Sequence, residues 1–295
     1  RSSIDLQDIA YFEILSGAPN GTIENITIAV SDEDGYESLT EIQFIIGETT
    51  VVFYDNFDTN QGWQAGAIGD NASSGIWERA IPNGTELYGQ YVQPNQDHSD
   101  EGAFCYVTGN GVGNGAGFDD IDNGRTTLTS PTFDLSDYNA AFVSYWRWYT
   151  NNLGDGPNQD NWEVEVSNNG GLSWDTIENT TQSNNSWEYH EYLINDYIDL
   201  SDNVTFRFIA EDSNDPSLVE AALDDFSILV VEANTVLGDI NFDGTVDVLD
   251  VVRVVNIVIG NYDPSQSEFN AADLNNDDVI NVLDIVSLVN IILGL

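Results

Sequence analysis

The stretch GDINFDGTVDVLD, residues 238–250, decides the fold of the C-terminal part, because an acid or amide stands at nearly every second position before a run of Val and Leu. Counted from Asp239 as position one, oxygen-bearing residues fall at positions three, five, seven, nine and twelve, and Gly244 stands at position six. This spacing allows one turn of chain to surround a divalent cation with oxygens. The predicted calcium ligands are Asp239, Asn241, Asp243, Thr245 through its main-chain carbonyl, Asp247 and Asp250.

A second copy of this loop, DLNNDDVINVLD, begins 34 residues after the first. Asp278 stands there at the position of Gly244, where a left-handed backbone is preferred. Because Asp tolerates that conformation better than most residues, we expect the second site to be intact but weaker. Its predicted calcium ligands are Asp273, Asn275, Asp277, Val279 through its carbonyl, Asn281 and Asp284.

Both loops have the spacing of an EF-hand-type calcium loop, and each precedes a helix-like run, VLDVVRVVNIVIG and VLDIVSLVNIILG. With these features, residues 234–295 resemble a type I dockerin, the tandem calcium-loop module that binds cohesin receptors. The resemblance implies two bound Ca²⁺ ions and a cohesin-like protein partner. We expect one helix after each loop and no helix leading into either.

The two helices predict an apolar surface. Polar residues recur at every third position, and nearly all other residues are Val, Ile or Leu, so a partner surface has to cover the apolar face. Dockerins typically carry Ser or Thr at loop positions ten and eleven, whereas this sequence has Val and Leu there, which argues against a standard cohesin. The near-identical halves predict a pseudo-twofold surface whose partner-binding residues are Val248, Leu249, Val282, Leu283 and Arg253.

The composition excludes several partners. The formal net charge is −45, and all six basic residues are arginines. So few cations cannot neutralise a nucleic-acid backbone, and no apolar run reaches the ~20 residues of a membrane span. We expect no nucleic acid and no membrane insertion. So many carboxylates repel one another, which indicates surroundings rich in cations. We interpret the chain as a piece of a secreted or cell-surface bacterial protein.

Upstream of the loops the sequence predicts mainly β structure. Residues 1–49 contain three alternating runs, IAYFEILSG, ENITIAV and TEIQFIIG, which amount to half of an Ig-like sandwich and resemble the closing strands of Ig-like spacers in secreted bacterial hydrolases. Residues 50–233 contain all seven tryptophans and many short aromatic strands, as expected for an antiparallel jelly-roll β-sandwich. The predicted fold class is therefore mainly β, followed by a small α-helical calcium-binding domain.

The middle segment resembles MAM-like jelly-roll modules through its opening FYDNFDTNQGW, its hairpin SNNGGLSW and its closing AALDDFSILV. The resemblance implies that acids of the first and last strands meet around a third, structural Ca²⁺. The implied ligands are Asp55, Asp58, Asp224 and Asp225. The alternative is that they are exposed acids of an acidic protein.

The run YWRWY, residues 145–149, allows a sugar-binding interpretation. Alternation on a strand places Trp146 and Trp148 on one face and Tyr145, Arg147 and Tyr149 on the other. One face has to pack in the core, so either Tyr145, Arg147 and Tyr149 bind a glycan or the run serves core packing.

The sequence contains no recognisable catalytic constellation, and we predict a protein that is not an enzyme. The preferred hypothesis is an extracellular, calcium-binding docking region of a larger secreted protein. The alternatives are a subunit of a self-assembling filament or surface layer, which binds other copies of itself, and a carbohydrate-binding module of a secreted hydrolase.

Overall fold

The computed structural model describes residues 20–31, 37–111, 115–213, 217–231, 236–264 and 266–295. The chain divides into two compact units, residues 49–231 and residues 1–48 together with 232–295. The boundaries of the three predicted segments stay a prediction.

The described part of the first segment is a two-stranded antiparallel sheet, made of β1 (Ile23–Ser31) and β2 (Glu37–Ile45). Ile26 lies opposite Ile42, so one face of the hairpin collects the branched apolar residues that favour strands. These strands correspond to the second and third predicted runs. The first run, residues 9–17, lies outside the described residues.

The unit formed by residues 49–231 is built from antiparallel strands. Among its described residues the strands are β3 (Thr49–Asp55), β4 (Gln64–Ala65), β5 (Trp77–Ala80), β6 (Glu86–Leu87), β7 (Gln90–Tyr91), β8 (Cys105–Thr108), β9 (Gly124–Thr129), β10 (Ala140–Gly154), β11 (Trp162–Ser167), β12 (Asp175–Thr180), β13 (Asn184–Leu193), β14 (Thr205–Asp212) and β15 (Ser217–Val231).

These strands form two main sheets. One has the order β13-β10-β15-β8-β5, and β3 also pairs with β15. The other has the order β12-β11-β14-β9-β4, and β6 pairs with β7 separately. The long strand β15 pairs with β8 at Ala222 and Leu223 and with β3 from Phe226 to Val231, so β3 and β8 follow each other along its length. The predicted mainly β fold class is confirmed.

The core of this unit is aromatic. Alternate residues of the strands point inward, as in Phe206 and Phe208 of β14, which pack with Phe226 of β15. Trp162, Tyr145 and Phe206 are each fully buried. Replacing one such ring by alanine typically costs about 3–5 kcal/mol, so these side chains hold the sandwich together.

The C-terminal part contains the helices α1 (Val248–Val258), α2 (Gln266–Ala272) and α3 (Val282–Leu293). Asp247 caps α1 and Asn281 caps α3, each in a capping box with the acid three residues later. A small buried cluster joins the helices and loops through Ile240, Val254, Ala271, Ala272 and Leu288. The expectation that no helix leads into a loop is wrong, because α2 ends directly before Asp273.

Within the described ranges, the structure contains no helix with the length and apolar character needed to cross a bilayer.

Candidate metal centre and partner surface

The first loop closes on its two end carboxylates. Asp239 accepts hydrogen bonds from the backbone N–H groups of Asp243 at 3.2 Å and Gly244 at 2.9 Å. Asp250 is fully buried and accepts from the N–H groups of Ile240 at 2.8 Å and Asn241 at 3.1 Å. The first acid therefore lies against the middle of the loop and the last acid against its start, which curls the chain around one small volume.

The second loop repeats this arrangement. Asp273 accepts from the backbone N–H groups of Asp277 at 3.1 Å and Asp278 at 2.8 Å. Buried Asp284 accepts from those of Leu274 at 3.0 Å and Asn281 at 2.8 Å. The sequence repeat is thus a structural repeat in which equivalent carboxylates take equivalent donors.

Acid and amide side chains also shape the exposed turn of each loop. Asn241 accepts from the N–H of Asp243 at 2.9 Å, and Asp243 accepts from the Thr245 N–H at 2.9 Å and hydroxyl at 2.6 Å. Asn275 and Asp277 accept in the same way from the next alternate residues of the second loop. The predicted ligands Asn241, Asp243, Asn275 and Asp277 therefore lie on tight, oxygen-lined turns.

The carboxylates of the first loop interact electrostatically. Burial raises the pKa of Asp239, and the charges of Asp250 and Asp243 raise it further, while N–H donors lower it. The Thr245 hydroxyl, followed by the Asn241 amide, lowers the pKa of exposed Asp243. Negative charge is therefore concentrated around Asp239, and a bound cation would relieve the repulsion.

The donor set of both loops consists of oxygens, the ligand type that Ca²⁺ takes. Among the residues that the structure describes, however, no three His, Cys, Asp or Glu side chains by themselves form a group that could hold a metal ion. Ion binding in either loop therefore has to draw on the amide oxygens and on the main-chain carbonyls of Thr245 and Val279. In donor chemistry the loops fit a hard divalent cation.

The predicted partner residues are exposed at equivalent places in the two halves. Val248 and Leu249 are 64% and 57% exposed, and Val282 and Leu283 are each 61% exposed. One turn further along each helix, Val252 and Val286 are also exposed. Sequence analysis missed these two residues, although their i+4 spacing from Val248 and Val282 places them on the same helix faces. We call the six residues the paired apolar face.

Arg253 makes internal contacts, and its partner-binding role stays a prediction. Its Nε donates to Glu268 at 2.9 Å, and its Nη2 donates to Glu268 and to the hydroxyl of Tyr262. The guanidinium also stacks over the Tyr262 ring at 4.1 Å from the centroid, and the Glu268 interaction raises the pKa of Arg253. Sequence analysis missed Glu268 and Tyr262, which form with Arg253 what we call the arginine clamp.

The strands that carry the predicted third calcium site are neighbours, since Asp55 of β3 lies opposite Phe226 of β15. The Asp55 carboxylate, however, accepts from the Phe57 N–H at 2.8 Å and the Trp63 indole at 3.0 Å. Asp58, in turn, accepts from the backbone N–H groups that follow Gly102. Both carboxylates are therefore bonded to protein donors.

Asp224 and Asp225 face the segment around His98. Asp224 is fully buried and accepts from the His98 N–H at 2.7 Å, and burial raises its pKa to about 7. Asp225 bonds the His98 ring at 2.6 Å, the Ser99 hydroxyl at 2.8 Å and the Tyr54 hydroxyl at 2.5 Å. A Ca²⁺ shared by the four acids stays a prediction. Sequence analysis missed the three partners of Asp225, which are distant from it in sequence.

The glycan-binding prediction for Tyr145, Arg147 and Tyr149 is wrong, because these side chains are only 0%, 4% and 1% exposed. They lie on the core face of β10. The Tyr145 hydroxyl donates to Glu178 at 2.8 Å, and the Arg147 guanidinium pairs with the same carboxylate. Trp162 donates to it as well, at 3.0 Å. Core packing is thus the role of this face, and Glu178 is the hub that sequence analysis missed.

Comparison with known proteins gives a family match for the C-terminal part. Residues 237–293 match the family model of the dockerin type I domain, which confirms the resemblance of this segment. No curated protein sequence matches the chain.

Several solved structures are similar to part of the chain. The K3 cleaved adhesin domain of Lys-gingipain from Porphyromonas gingivalis is 12% identical, with 62% of this chain and 99% of that chain covered and a TM-score of 0.38. The CBM22-1 xylan-binding domain from Paenibacillus barcinonensis is 13% identical, with 63% and 96% covered and a TM-score of 0.35.

Proposed function

We propose that residues 237–293, which match the dockerin type I domain, make this chain a calcium-dependent docking region that attaches a secreted protein to a partner protein. The observation that carries the proposal is the structural repeat of the two loops. Equivalent buried acids, Asp250 and Asp284, each accept from one backbone N–H at the start of the loop and from one at the N-cap of the following helix. The position of each helix is thereby tied to the loop before it.

In each loop the two end acids, the acid and amide side chains between them and the position-seven carbonyl hold the ion. Bound Ca²⁺ supplies positive charge that offsets the repulsion among the loop carboxylates. The protein residues do the rest: Asp239 and Asp250 fix the loop through backbone N–H groups, and Asp247 and Asn281 cap the helices. Calcium loading then stabilises the two helix starts that present the paired apolar face.

The partner is a protein with an apolar recess. Val248, Leu249 and their counterparts offer no hydroxyl group, so recognition relies on burial of apolar side chains, each contributing about 1.5–3 kcal/mol when fully covered. A cohesin-like receptor whose contact surface is apolar meets this requirement. Another copy of the chain is the alternative occupant, and it would make the protein a self-assembling subunit.

Light scattering and surface capture separate these possibilities. The full chain is measured in calcium and in chelator, alone and over an immobilised type I cohesin. The proposal expects a calcium-dependent increase in mass or in capture, lost in the Leu249→Asp/Leu283→Asp variant and kept in Asp263→Asn, an exposed position outside the face. Equal association in calcium and in chelator would contradict calcium-dependent docking.

Residues 49–231 have a second candidate function, saccharide binding, because this unit carries an open cavity of about 430 Å³. The half-exposed Tyr54 ring and the His98 ring line it, and His98 stacks on Trp146 at 3.7 Å between ring centroids. Aromatic faces beside carboxylates suit a polyhydroxylated ligand. A glycan array run in calcium tests this: hits lost in Tyr54→Ala support it, and an array without hits rejects it.

A further inference from the structure

Helix α2 bridges the two calcium loops. The backbone N–H of Gly238, one residue before the first loop, donates to the carbonyl of Ala271 at 2.9 Å. The N–H of Asp273, the first residue of the second loop, donates to the carbonyl of Phe269 in the same helix at 2.9 Å. One short helix therefore fixes the entrances of both loops, and a displacement of α2 would move both.

The arginine clamp holds α2 to the helix that follows the first loop. Glu268 of α2 is only 4% exposed, and its carboxylate accepts from Arg253 of α1 and from the Tyr262 hydroxyl at 2.8 Å. A carboxylate buried to this extent is strongly unfavourable without its partner. Loss of the Glu268 charge would therefore break the link between α1 and α2, whereas loss of the Tyr262 hydroxyl would weaken it.

The clamp begins close to the ligand set of the first loop. Arg253 lies three residues after Asp250, the last predicted ligand, and residues with this spacing share one side of a helix. Whatever fixes the first turn of α1 therefore also fixes Arg253. The connection runs along α1 from Asp250 to Arg253, through the ion pair of Arg253 with Glu268 to α2, and from α2 to the backbone N–H of Asp273.

We propose that the arginine clamp couples the two calcium loops, so that an ion in one loop raises the affinity of the other. Arg253, Glu268 and Tyr262 are positioning residues in this scheme and touch no ion. The inference rests on the proposed function, because it requires both loops to bind calcium. Coupling between sites in proteins typically changes affinity by about 5- to 150-fold, and we expect the lower part of that range.

The test compares the calcium affinity of the first loop when the second loop is intact with its affinity when Asp273→Asn/Asp284→Asn has disabled it. Calorimetry on the full chain gives the ratio of these two affinities for the wild type, for Glu268→Gln and for Asp263→Asn. Asp263 is exposed and follows Tyr262 in sequence. Its variant removes one negative charge from this region, as Glu268→Gln does, and leaves the three clamp residues unchanged.

We expect a ratio of about ten in the wild type and in Asp263→Asn, and a ratio near one in Glu268→Gln. Tyr262→Phe removes one hydroxyl and should give an intermediate ratio, which keeps the test decisive if Glu268→Gln does not fold. A clamp variant that binds calcium with the wild-type ratio, or a wild type with a ratio of one, would overturn the coupling alone. A wild type that binds no calcium would instead overturn the proposed function.

Discussion

Gly244 and Asp278 occupy equivalent positions in the two loops. Each donates its backbone N–H to the first carboxylate of its loop, at 2.9 Å and 2.8 Å respectively. Both have a left-handed backbone, with φ of +83° and +62°. Glycine adopts this conformation freely, whereas a residue with a Cβ does so at a cost. The second loop thus keeps the shape of the first at a higher conformational energy.

Asp278→Gly should therefore strengthen calcium binding by the second loop. Relief of about 1 kcal/mol corresponds to an affinity gain of roughly fivefold. Calorimetry on a chain whose first loop is disabled by Asp239→Asn/Asp250→Asn measures it directly. The reciprocal change, Gly244→Asp, should weaken the first loop by a similar factor. Unchanged affinity in both variants would show that backbone strain does not set the difference between the loops.

A charge placed in either half of the paired apolar face should weaken partner binding to the same extent. Because Val248 and Leu249 correspond to Val282 and Leu283 in exposure, Leu249→Asp and Leu283→Asp should lower partner capture by similar factors. Each change removes about 1.5–3 kcal/mol of apolar burial if that side chain is covered in the complex. Surface capture in calcium measures the loss. A strong effect of one variant with none of the other would contradict a pseudo-twofold surface.

Glu178 should be a strong determinant of the stability of the sandwich. Glu178→Ala leaves the buried Arg147 without its main partner, although Glu188 remains at 3.2 Å. Loss of one member of a buried ion pair costs about 3–5 kcal/mol, which lowers Tm by roughly 10 °C in a domain of this size. Thermal unfolding in calcium tests this, with exposed Asp175→Asn of the same strand as the control. Equal melting of the two variants would contradict the hub role.

The sandwich should be more stable at pH 5 than at pH 8 in chelator and low salt. Burial raises the pKa of Asp120 to about 7, and nearby Asp122 adds to it. Burial likewise raises the pKa of Asp212 to about 6, with a further contribution from Asp160. Both values lie above those of the unfolded chain, so the stabilisation is complete at low pH and is lost as the pH rises through 6 to 7.

We expect Tm to fall by roughly 5 °C between pH 5 and pH 8. Asp120→Asn should flatten this dependence, whereas Asp155→Asn, at an exposed position, should leave it unchanged. A Tm that rises over the same pH interval in the wild type would contradict the assignment of raised pKa values to these buried acids.

The sequence predicts local features well. The two loops and the helices after them follow from residue spacing alone, because each is closed by hydrogen bonds within about twelve residues. Helix α2 was missed because QSEFNAA is too short to show a period and follows Pro264. Its position depends on contacts with Gly238 and Arg253 that are distant in sequence.

Long-range relationships could not be derived in this way. Alternation in YWRWY separates two faces, but only the packing of β10 against side chains of the other sheet, such as Phe208, determines which face lies in the core. The hub at Glu178 and the contacts of Asp225 with His98 and Tyr54 likewise join residues from distant parts of the chain. Such contacts leave no spacing pattern in one sequence.

Calcium titration by calorimetry on the chelator-treated chain, beside the Asp250→Asn/Asp284→Asn variant, tests the central claim most directly. We predict that the wild type binds two more Ca²⁺ ions than the variant, and any ion held by Asp55 and Asp224 would bind equally to both. No binding by the wild type, or the same number of ions in both proteins, would contradict the account of this chain as a calcium-dependent docking region.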